Sequence, residues 1–450
     1  MFYSRVFYRG LVVALLFFLS CNPFKTQAIS PIREVTGIFN HHENFHLNFD
    51  EGYVWFWDEF ASAGGDGPGN DVENWGGNLG AFHNASEIWA KLHSLEHHFP
   101  SIIQLADLGF SYNGRLILLV IITDESVQSF KKEVLIVAHH HGREVITIEN
   151  CLYYIDKLVY EFQNKNSTIQ ELLAKRIIYV IPTLNPDSLD IVYRWPYVRK
   201  NLHPIDEDGD GIRDEEEILY NYDSRDNDTT IGEDFPGGVD LNRNYPFQWN
   251  NTSDNSADPH SFVYRGASPF SEPETRAFAE FVRKHDFQSA TSLHSGVELI
   301  LTPWAYDPQI DCPDEEVYIN LAVELTRVTG IPHTDLYPAI GEWGDWMYGA
   351  RGIVSVTIET YRRENAAYVW DYFNPPPNKV LAVSERVYPG LLLMTSYTRQ
   401  ELQIDPLENI TRSNTYSPTE ETTPPKIVLL AGLLGSWIVS IVIRKKVKKL

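Results

Sequence analysis

Residues 134–144 have the sequence VLIVAHHHGRE, a short apolar run followed at once by polar and charged side chains. Val134 to Ala138 are aliphatic and rich in β-branched side chains, a composition typical of a strand buried on both faces of a sheet. In sheets of parallel strands, functional sites lie beyond the carboxyl ends of the strands. The segment therefore predicts an α/β fold with a site at residues 139–144.

The same alternation of strands and helices continues on both sides of this segment. Further strands are predicted over 116–123, 176–181, 290–293, 299–301 and 353–358. Helices are predicted over 85–97, 146–162 and 272–285, the last with Ser271 as its N-cap and Glu274 as the capping-box partner. Together they predict a mixed, largely parallel twisted sheet with helices on both faces.

His141 and Glu144 have the spacing of a metal-binding pair. Residues three apart on a turn that opens a helix share one face, so both side chains can reach one ion at about 2.0–2.2 Å. A catalytic zinc needs a third protein ligand and one open position, and His294, directly after the strand over 290–293, fits that role. No carboxylate stands three residues after His139 or His140, so we expect these two to hydrogen-bond locally or to face solvent.

Seven short motifs then occur in order between about residue 86 and residue 400. With them, the chain resembles the zinc metallocarboxypeptidase family of the carboxypeptidase A and B type, in particular the secreted bacterial carboxypeptidase T enzymes. The motifs are His141-Gly142-Arg143-Glu144, Arg199-Lys200, residues 238–244, Leu293-His294-Ser295, Asp335-Leu336-Tyr337, Asp345-Trp346 and Thr357-Ile358-Glu359.

This resemblance implies roles for the residues of the reaction centre. The implied zinc ligands are His141, Glu144 and His294. Asp240 would hold His141 and fix its tautomer. Glu359, after a predicted strand, would be the general base that takes a proton from the attacking water. Arg199 would stabilise the oxyanion.

The resemblance also implies how the free end of a peptide is held. Asn242 and Arg243 would bind the C-terminal carboxylate, a group that a guanidinium recognises with paired N–H donors. Tyr337 would close over that terminus. Arg143 would add a second positive contact, with a structural salt bridge as the alternative.

The resemblance places a mostly uncharged set of residues around the C-terminal side chain of the substrate: Leu301, Ala305, Ala339, Gly344 and Thr357. Such a pocket fits a neutral or bulky apolar side chain. Asp335 would also admit a basic one, whereas Gly344 stands where basic-specific pancreatic relatives carry an acid. We therefore expect mixed specificity.

Residues 201–236 form an insertion relative to the pancreatic relatives, and residues 206–217 within it match a calcium-loop pattern. The predicted calcium ligands are Asp206, Asp208, Asp210, the Ile212 carbonyl, Asp214 and Glu217. Without an ion so many carboxylates would repel one another, although a solvated acidic loop is the alternative.

The bulk composition excludes one class of partner. The 450-residue chain has a net charge of −24, which opposes nucleic-acid binding. An acidic surface would attract cationic peptides, or serve solubility alone. Cys21, Cys151 and Cys312 have no spacing of a disulfide framework or a cysteine zinc site, and Cys151 and Cys312 either pair or are simply buried.

Both ends of the chain predict targeting segments. Residues 1–28 have the basic start, apolar run and small-residue end of a signal peptide. Residues 426–443 predict a transmembrane helix, and the basic tail 444–450 marks the cytoplasmic side. Residues 401–425 predict a Ser/Thr/Pro-rich stalk. The signal peptide and the basic tail together place the catalytic domain 86–400 outside the cell, and cutting of the stalk would release it. Residues 29–85 form an extension to which no role is assigned.

Three functions are compatible with these features. The first is an active carboxypeptidase that acts on peptide or protein C-termini. The second is a non-catalytic module that binds C-termini, although His141, Glu144, His294 and Glu359 are all present. The third is a hydrolase of cell-wall peptides.

Overall fold

The computed structural model describes Trp55 and residues 82–193, 195–203, 238–251, 256–259, 261–334 and 338–398. Several predictions concern other residues: the signal peptide, nearly all of the extension, the calcium loop, residues 335–337, the stalk and the transmembrane segment. Within the described residues, no helix has both the length and the hydropathy needed to cross a bilayer.

The described residues form an eight-stranded sheet in the order β1-β2-β4-β3-β5-β8-β6-β7. Its strands, in chain order, are β1 Ile103–Phe110, β2 Leu116–Ile122, β3 Lys132–Ala138, β4 Arg176–Ile181, β5 Phe287–His294, β6 Glu298–Leu301, β7 His333–Thr334 and β8 Val354–Thr360. The central strands β4, β3, β5 and β8 are parallel, whereas β1, β2 and β6 run antiparallel to their neighbours towards the centre. The predicted mixed sheet is confirmed, and the parallel part is its middle.

The helices of the described residues lie between and after these strands. They are α1 Ala85–His98, α2 Ile146–Gln163, α3 Ser167–Lys175, α4 Pro186–Val192, α5 Pro273–Val282, α6 Glu315–Thr329, α7 Trp343–Arg351, α8 Val369–Phe373 and α9 Pro377–Ser396. A 3-10 turn spans Leu241–Arg243.

Helices pack on both faces of the sheet, as two neighbouring residues of β5 show. Ala290 belongs to a buried apolar cluster with Phe278 of α5 and Trp343 of α7. Ser289 points to the opposite face, because side chains alternate along a strand. Its hydroxyl donates to the carbonyl of Met394 in α9 at 2.7 Å. The predicted α/β arrangement is therefore confirmed.

The predicted cap of α5 is wrong. The helix begins at Pro273 with Glu272 as its N-cap, and no side chain caps it. The Ser271 hydroxyl instead donates to Glu272 Oε1 at 2.6 Å. The Glu274 carboxylate accepts from the backbone N–H of Tyr112, so tertiary contacts replace the local capping box.

Candidate metal centre

The central parallel strands β3, β5 and β8 end side by side, and His141, His294 and Glu359 lie at or just after their carboxyl ends. Strand β3 pairs with β5 so that Ala138 lies opposite Leu293, and the chain after each strand carries on into the same region. Strand β5 pairs with β8 so that His294 lies opposite Glu359. His141 and Glu359 are more than two hundred positions apart in the sequence, and they come into one region because their strands end side by side.

His141, Glu144 and His294 form a compact and buried group. One ligand atom from each lies within 4.8 Å of the other two. His141 Nδ1 is 2.8 Å from Glu144 Oε1, and His294 Nδ1 is 2.9 Å from Glu144 Oε2. The two Nδ1 atoms are 3.2 Å apart. The structure therefore brings together all three predicted zinc ligands.

The chemistry of these donors fits zinc. Two imidazole nitrogens and a carboxylate face one another at low exposure, an arrangement of lone pairs that requires a cation or protons between them. Burial acts to raise the pKa of Glu144, but His141 and His294 outweigh it and hold that pKa well below its usual value. Burial lowers the pKa of His294, which favours the neutral imidazole that binds metals.

Asp240 holds His141 as predicted. Its Oδ1 accepts from His141 Nε2 at 3.0 Å and from the Asn242 N–H at 2.9 Å. Burial opposes ionisation of Asp240, but Arg199 and His141 keep its pKa well below the usual value. Because an ionised carboxylate only accepts hydrogen bonds, His141 carries its proton on Nε2 and turns the Nδ1 lone pair to the site.

Arg199 binds the other carboxylate oxygen of Asp240. Its Nε donates to Asp240 Oδ2 at 2.9 Å, and Nη2 is 2.8 Å from that oxygen. The backbone carbonyl of Arg199 also accepts from the N–H of Gly142, at 3.1 Å. The residue predicted to meet the oxyanion is therefore tied to the turn that carries the metal ligands.

Glu359 is a buried carboxylate beside this group. It is 7% exposed, and its Oε2 has no hydrogen-bond partner within the described part of the chain. Burial, followed by the charge of Glu144, raises the pKa of Glu359 well above its usual value. A carboxylate made more basic in this way suits proton transfer.

The predicted carboxylate-binding pair lies in the 3-10 turn that follows Asp240. Asn242 Oδ1 accepts from the N–H of Trp343 at 3.0 Å, and Arg243 Nη1 donates to the Asn242 carbonyl at 2.8 Å. Arg243 Nε is buried without a partner among the described residues. The guanidinium of Arg143 lies over the ring of Phe373, 4.2 Å from its centroid, and makes a cation–π contact with it. Tyr337 lies outside the described residues.

His139 and His140 do not face solvent. Both are fully buried, and His139 hydrogen-bonds Thr183 and the carbonyl of Gly142. His140 contacts the Tyr245 hydroxyl at 3.0 Å and Ser292 at 3.2 Å. The local hydrogen bonds predicted for them are confirmed, whereas the alternative of solvent exposure is wrong.

Of the predicted pocket residues Leu301, Ala305, Ala339, Gly344 and Thr357, the last two lie next to Glu342, an acid that sequence reasoning missed. Thr357 lies opposite Leu301 in the sheet, and Gly344 lies in the first turn of α7. Glu342, the residue before α7, places its carboxylate against Gly344. The sequence predicts no strand directly before Glu342, and Glu342 has no metal-ligand spacing; its only signal is its place two residues before Gly344.

The chain is similar to several known zinc carboxypeptidases. The family model described as zinc carboxypeptidase matches residues 88–389. Carboxypeptidase B of Astacus astacus is 25% identical over 331 residues, covering 71% of this chain and 97% of the relative. The zinc carboxypeptidase of Simulium vittatum is 27% identical over 335 residues, covering 71% and 97%. A crystal structure of thrombin activatable fibrinolysis inhibitor has a TM-score of 0.59 at 22% identity, covering 70% of this chain and 74% of that one, and shares the fold.

Proposed function

The chain belongs to the zinc carboxypeptidase family and is a metallocarboxypeptidase hydrolase; from this premise we propose that it removes C-terminal residues from peptides at the centre formed by His141, Glu144 and His294. The observation that carries this proposal is the convergence of these three ligands beside Glu359 and Arg199.

Binding of the substrate would begin at its free end. The guanidinium of Arg243 and the amide of Asn242 hold the terminal carboxylate, with Tyr337 closing over it. This anchor fixes the register of the peptide, because the bond before the last residue is then the one beside the metal ligands. Cleavage of only the last peptide bond follows from that register.

Hydrolysis would then use groups that the fold holds in place. Zinc held by His141, Glu144 and His294 would supply a Lewis acid for the activation of water and the polarisation of the scissile carbonyl. Glu359 accepts the proton of the attacking water and passes it to the leaving amine. Arg199, oriented by Asp240, places positive charge where the carbonyl oxygen becomes negative. Arg143 adds a positive charge near the peptide.

The test is a set of matched peptides with free and with amidated C-termini, assayed with and without a zinc chelator. We expect rapid release of the last residue from the free peptides only, and loss of release after zinc is removed. Equal cleavage of amidated and free peptides would rule out the carboxypeptidase function. Binding of the free peptides without turnover would favour the non-catalytic module instead.

We also propose that the catalytic domain works on the outer face of a membrane. The support is in the sequence: a signal-like segment over 1–28, an apolar segment over 426–443 and a basic tail over 444–450. A structural calcium ion bound by the loop 206–217 belongs to the same proposal, since extracellular calcium would fill even a weak site. Cell-wall peptides with a free carboxylate remain compatible substrates.

A further inference from the structure

We propose that Trp55 holds the N-terminal extension, residues 29–85, on the catalytic domain at the end of the sheet opposite to the metal centre, and that the extension stabilises the active enzyme. The sequence alone assigns no role to this segment. The alternative is an inhibitory pro-segment, which would keep peptides from the metal centre until it was removed. Stabilisation does not depend on the proposed function, whereas activity with the extension in place rests on it.

Trp55 packs against two aromatic rings of the catalytic domain. Its ring centroid is 5.6 Å from that of Phe99, the C-cap of α1. It is 5.1 Å from the ring centroid of Tyr160 in α2, and the two ring planes meet at 85°, an edge-to-face contact. Both distances lie in the range of favourable aromatic pairs, about 4.5–7 Å. Trp55 is half-buried in this position, and it attaches the extension to both α1 and α2.

Helix α2 places this contact far from the metal centre. The metal ligand Glu144 comes two residues before Ile146, with which α2 begins. Tyr160 lies fourteen residues after Ile146, and at 1.5 Å per residue this is roughly 21 Å along the helix. Trp55 therefore contacts the end of α2 that is remote from the metal ligands.

The strands give the same direction. The metal centre lies beyond the carboxyl ends of the parallel strands, whereas Phe99 comes before β1 and its carbonyl accepts from the N–H of Ile103 at 3.0 Å. Ile103 pairs with Ile122 of β2, and Ile122 pairs with Ile178, near the amino end of the parallel strand β4. Phe99 and the ring of Trp55 thus lie at the edge of the sheet opposite to the metal ligands.

The last residues of the extension are held at the other end of α2. The backbone N–H of His83 donates to Glu149 Oε1 at 2.8 Å, and His83 Nδ1 is 2.8 Å from Glu149 Oε2. Glu149 is fully buried in the first turn of α2. The Tyr193 hydroxyl donates to the His83 carbonyl at 2.9 Å, and the Phe82 ring packs edge-on against Trp370. The extension is therefore attached to α2 at two places about 16 Å apart along the helix.

Two attachments of this kind favour the folded catalytic domain. Trp55 contacts α1 and α2 together, a surface that forms only when the domain is folded, and a segment that binds only the folded chain stabilises it. Because the segment is covalently joined, its binding does not depend on protein concentration. The three metal ligands converge in the same structure in which Trp55 is docked. A docked extension and an assembled metal centre are therefore compatible.

The test uses the full-length protein loaded with zinc, and its first variant is Trp55→Ala. We expect the melting temperature to fall by about 2–6 °C, because the buried ring contacts are lost. Below that temperature, kcat/KM for a peptide with a free C-terminus should stay within about twofold of the wild-type value, because the contact is remote from the metal ligands. A rise in kcat/KM beyond that range would identify an inhibitory pro-segment and overturn the proposal. An unchanged melting temperature would overturn the anchoring role of Trp55.

A second pair of changes decides the question if Trp55→Ala does not fold. Trp55→Phe keeps a smaller ring, and Tyr160→Leu removes the partner ring from α2. The double variant should lose less stability than the sum of the two single losses, because both changes weaken one contact. Strictly additive losses would contradict that contact.

The control variant is Phe130→Ala, which removes an aromatic ring that is 89% exposed. It should keep the melting temperature and kcat/KM of the wild type. If neither the wild type nor any variant released C-terminal residues, the proposed function would be refuted, and the melting temperatures would still decide the role of Trp55.

Discussion

At the level of single residues, Asp240 organises the centre. It accepts from His141, from Arg199 and from the N–H of Asn242, so one buried charge orients a metal ligand, the proposed oxyanion contact and the proposed carboxylate-binding turn. Buried charges are expensive unless they are paired, and here the pairs are with functional groups. The cost of burying Asp240 is thus offset by the contacts that build the site.

Glu359 is the residue whose chemical role can be separated from metal binding. We expect Glu359→Gln to lower kcat by roughly 10²- to 10⁴-fold, because the amide cannot accept the proton of the attacking water. Glu359 is not one of the three residues that converge, so zinc content measured by atomic spectrometry should stay at the wild-type level.

The control for this change is Glu364→Gln, which removes an exposed carboxylate four residues after β8, the strand that carries Glu359. It should leave both kcat and zinc content as in the wild type. Retained activity in Glu359→Gln would refute its role as base, and loss of zinc from that variant would show that it acts in metal binding instead.

At the level of elements, the register of β5 against β8 determines the site. His294 and Glu359 are paired residues at the ends of parallel strands, and a slip by one residue would turn one of the two side chains to the other face of the sheet. The buried residues of both strands make such a slip costly. The geometry of metal ligand and base is therefore a property of the sheet.

Helix α5 carries a buried acid that affects stability rather than chemistry. Glu274 accepts from the N–H of Tyr112 at 3.0 Å and from Asn201 Nδ2 at 3.3 Å. Burial raises its pKa from 4.5 to about 8. Between these two values the folded protein keeps a proton that the unfolded chain releases, so the contribution of Glu274 to stability falls as pH rises through this window.

We expect Glu274→Gln to reduce the fall in the free energy of unfolding between about pH 5 and pH 8. The amide is neutral throughout, and the slope removed is at most about 1.4 kcal/mol for each pH unit. Denaturant unfolding of the two proteins at several pH values measures the difference. Glu280→Gln, an exposed position on the same helix, is the control and should keep the wild-type slope; an unchanged slope in Glu274→Gln would contradict the expectation.

At the level of the whole molecule, the insertion 201–236 predicts that calcium stabilises the fold. Selective calcium removal should lower the melting temperature without releasing zinc, because the two sites use different ligands. A variant with Asp206→Asn and Asp208→Asn should show no response to calcium. An unchanged melting temperature of the wild-type protein after calcium removal would favour a solvated acidic loop.

The two ends of the chain predict the location of the whole molecule. The protein should sediment with membranes. Protease added to the outside of intact cells should degrade the catalytic domain. Deletion of residues 426–450 should release an active, soluble enzyme. Sedimentation of that deletion variant with membranes would contradict anchoring by this segment.

Much of the site could be predicted because its residues follow strands with strong patterns. The run from Val134 to Ala138 predicted β3, and His141 and Glu144 come directly after it. Strands β1 and β7 and helices α3, α4, α6, α7, α8 and α9 were not predicted. Their patterns are weaker, as in β1, whose burial follows no strict alternation. The cap of α5 failed because distant Asn244 and Tyr112 compete for its polar groups.

The sequence by itself determined the types of side chain, their order and the strands that carry them, because apolar periodicity and ligand spacing are local properties. Only the tertiary structure decided that His294 and Glu359 stand side by side, and that the acid of Glu342 fills the space above Gly344. Those relations depend on strand register and on packing between distant segments, and neither is written in the spacing of residues along the chain.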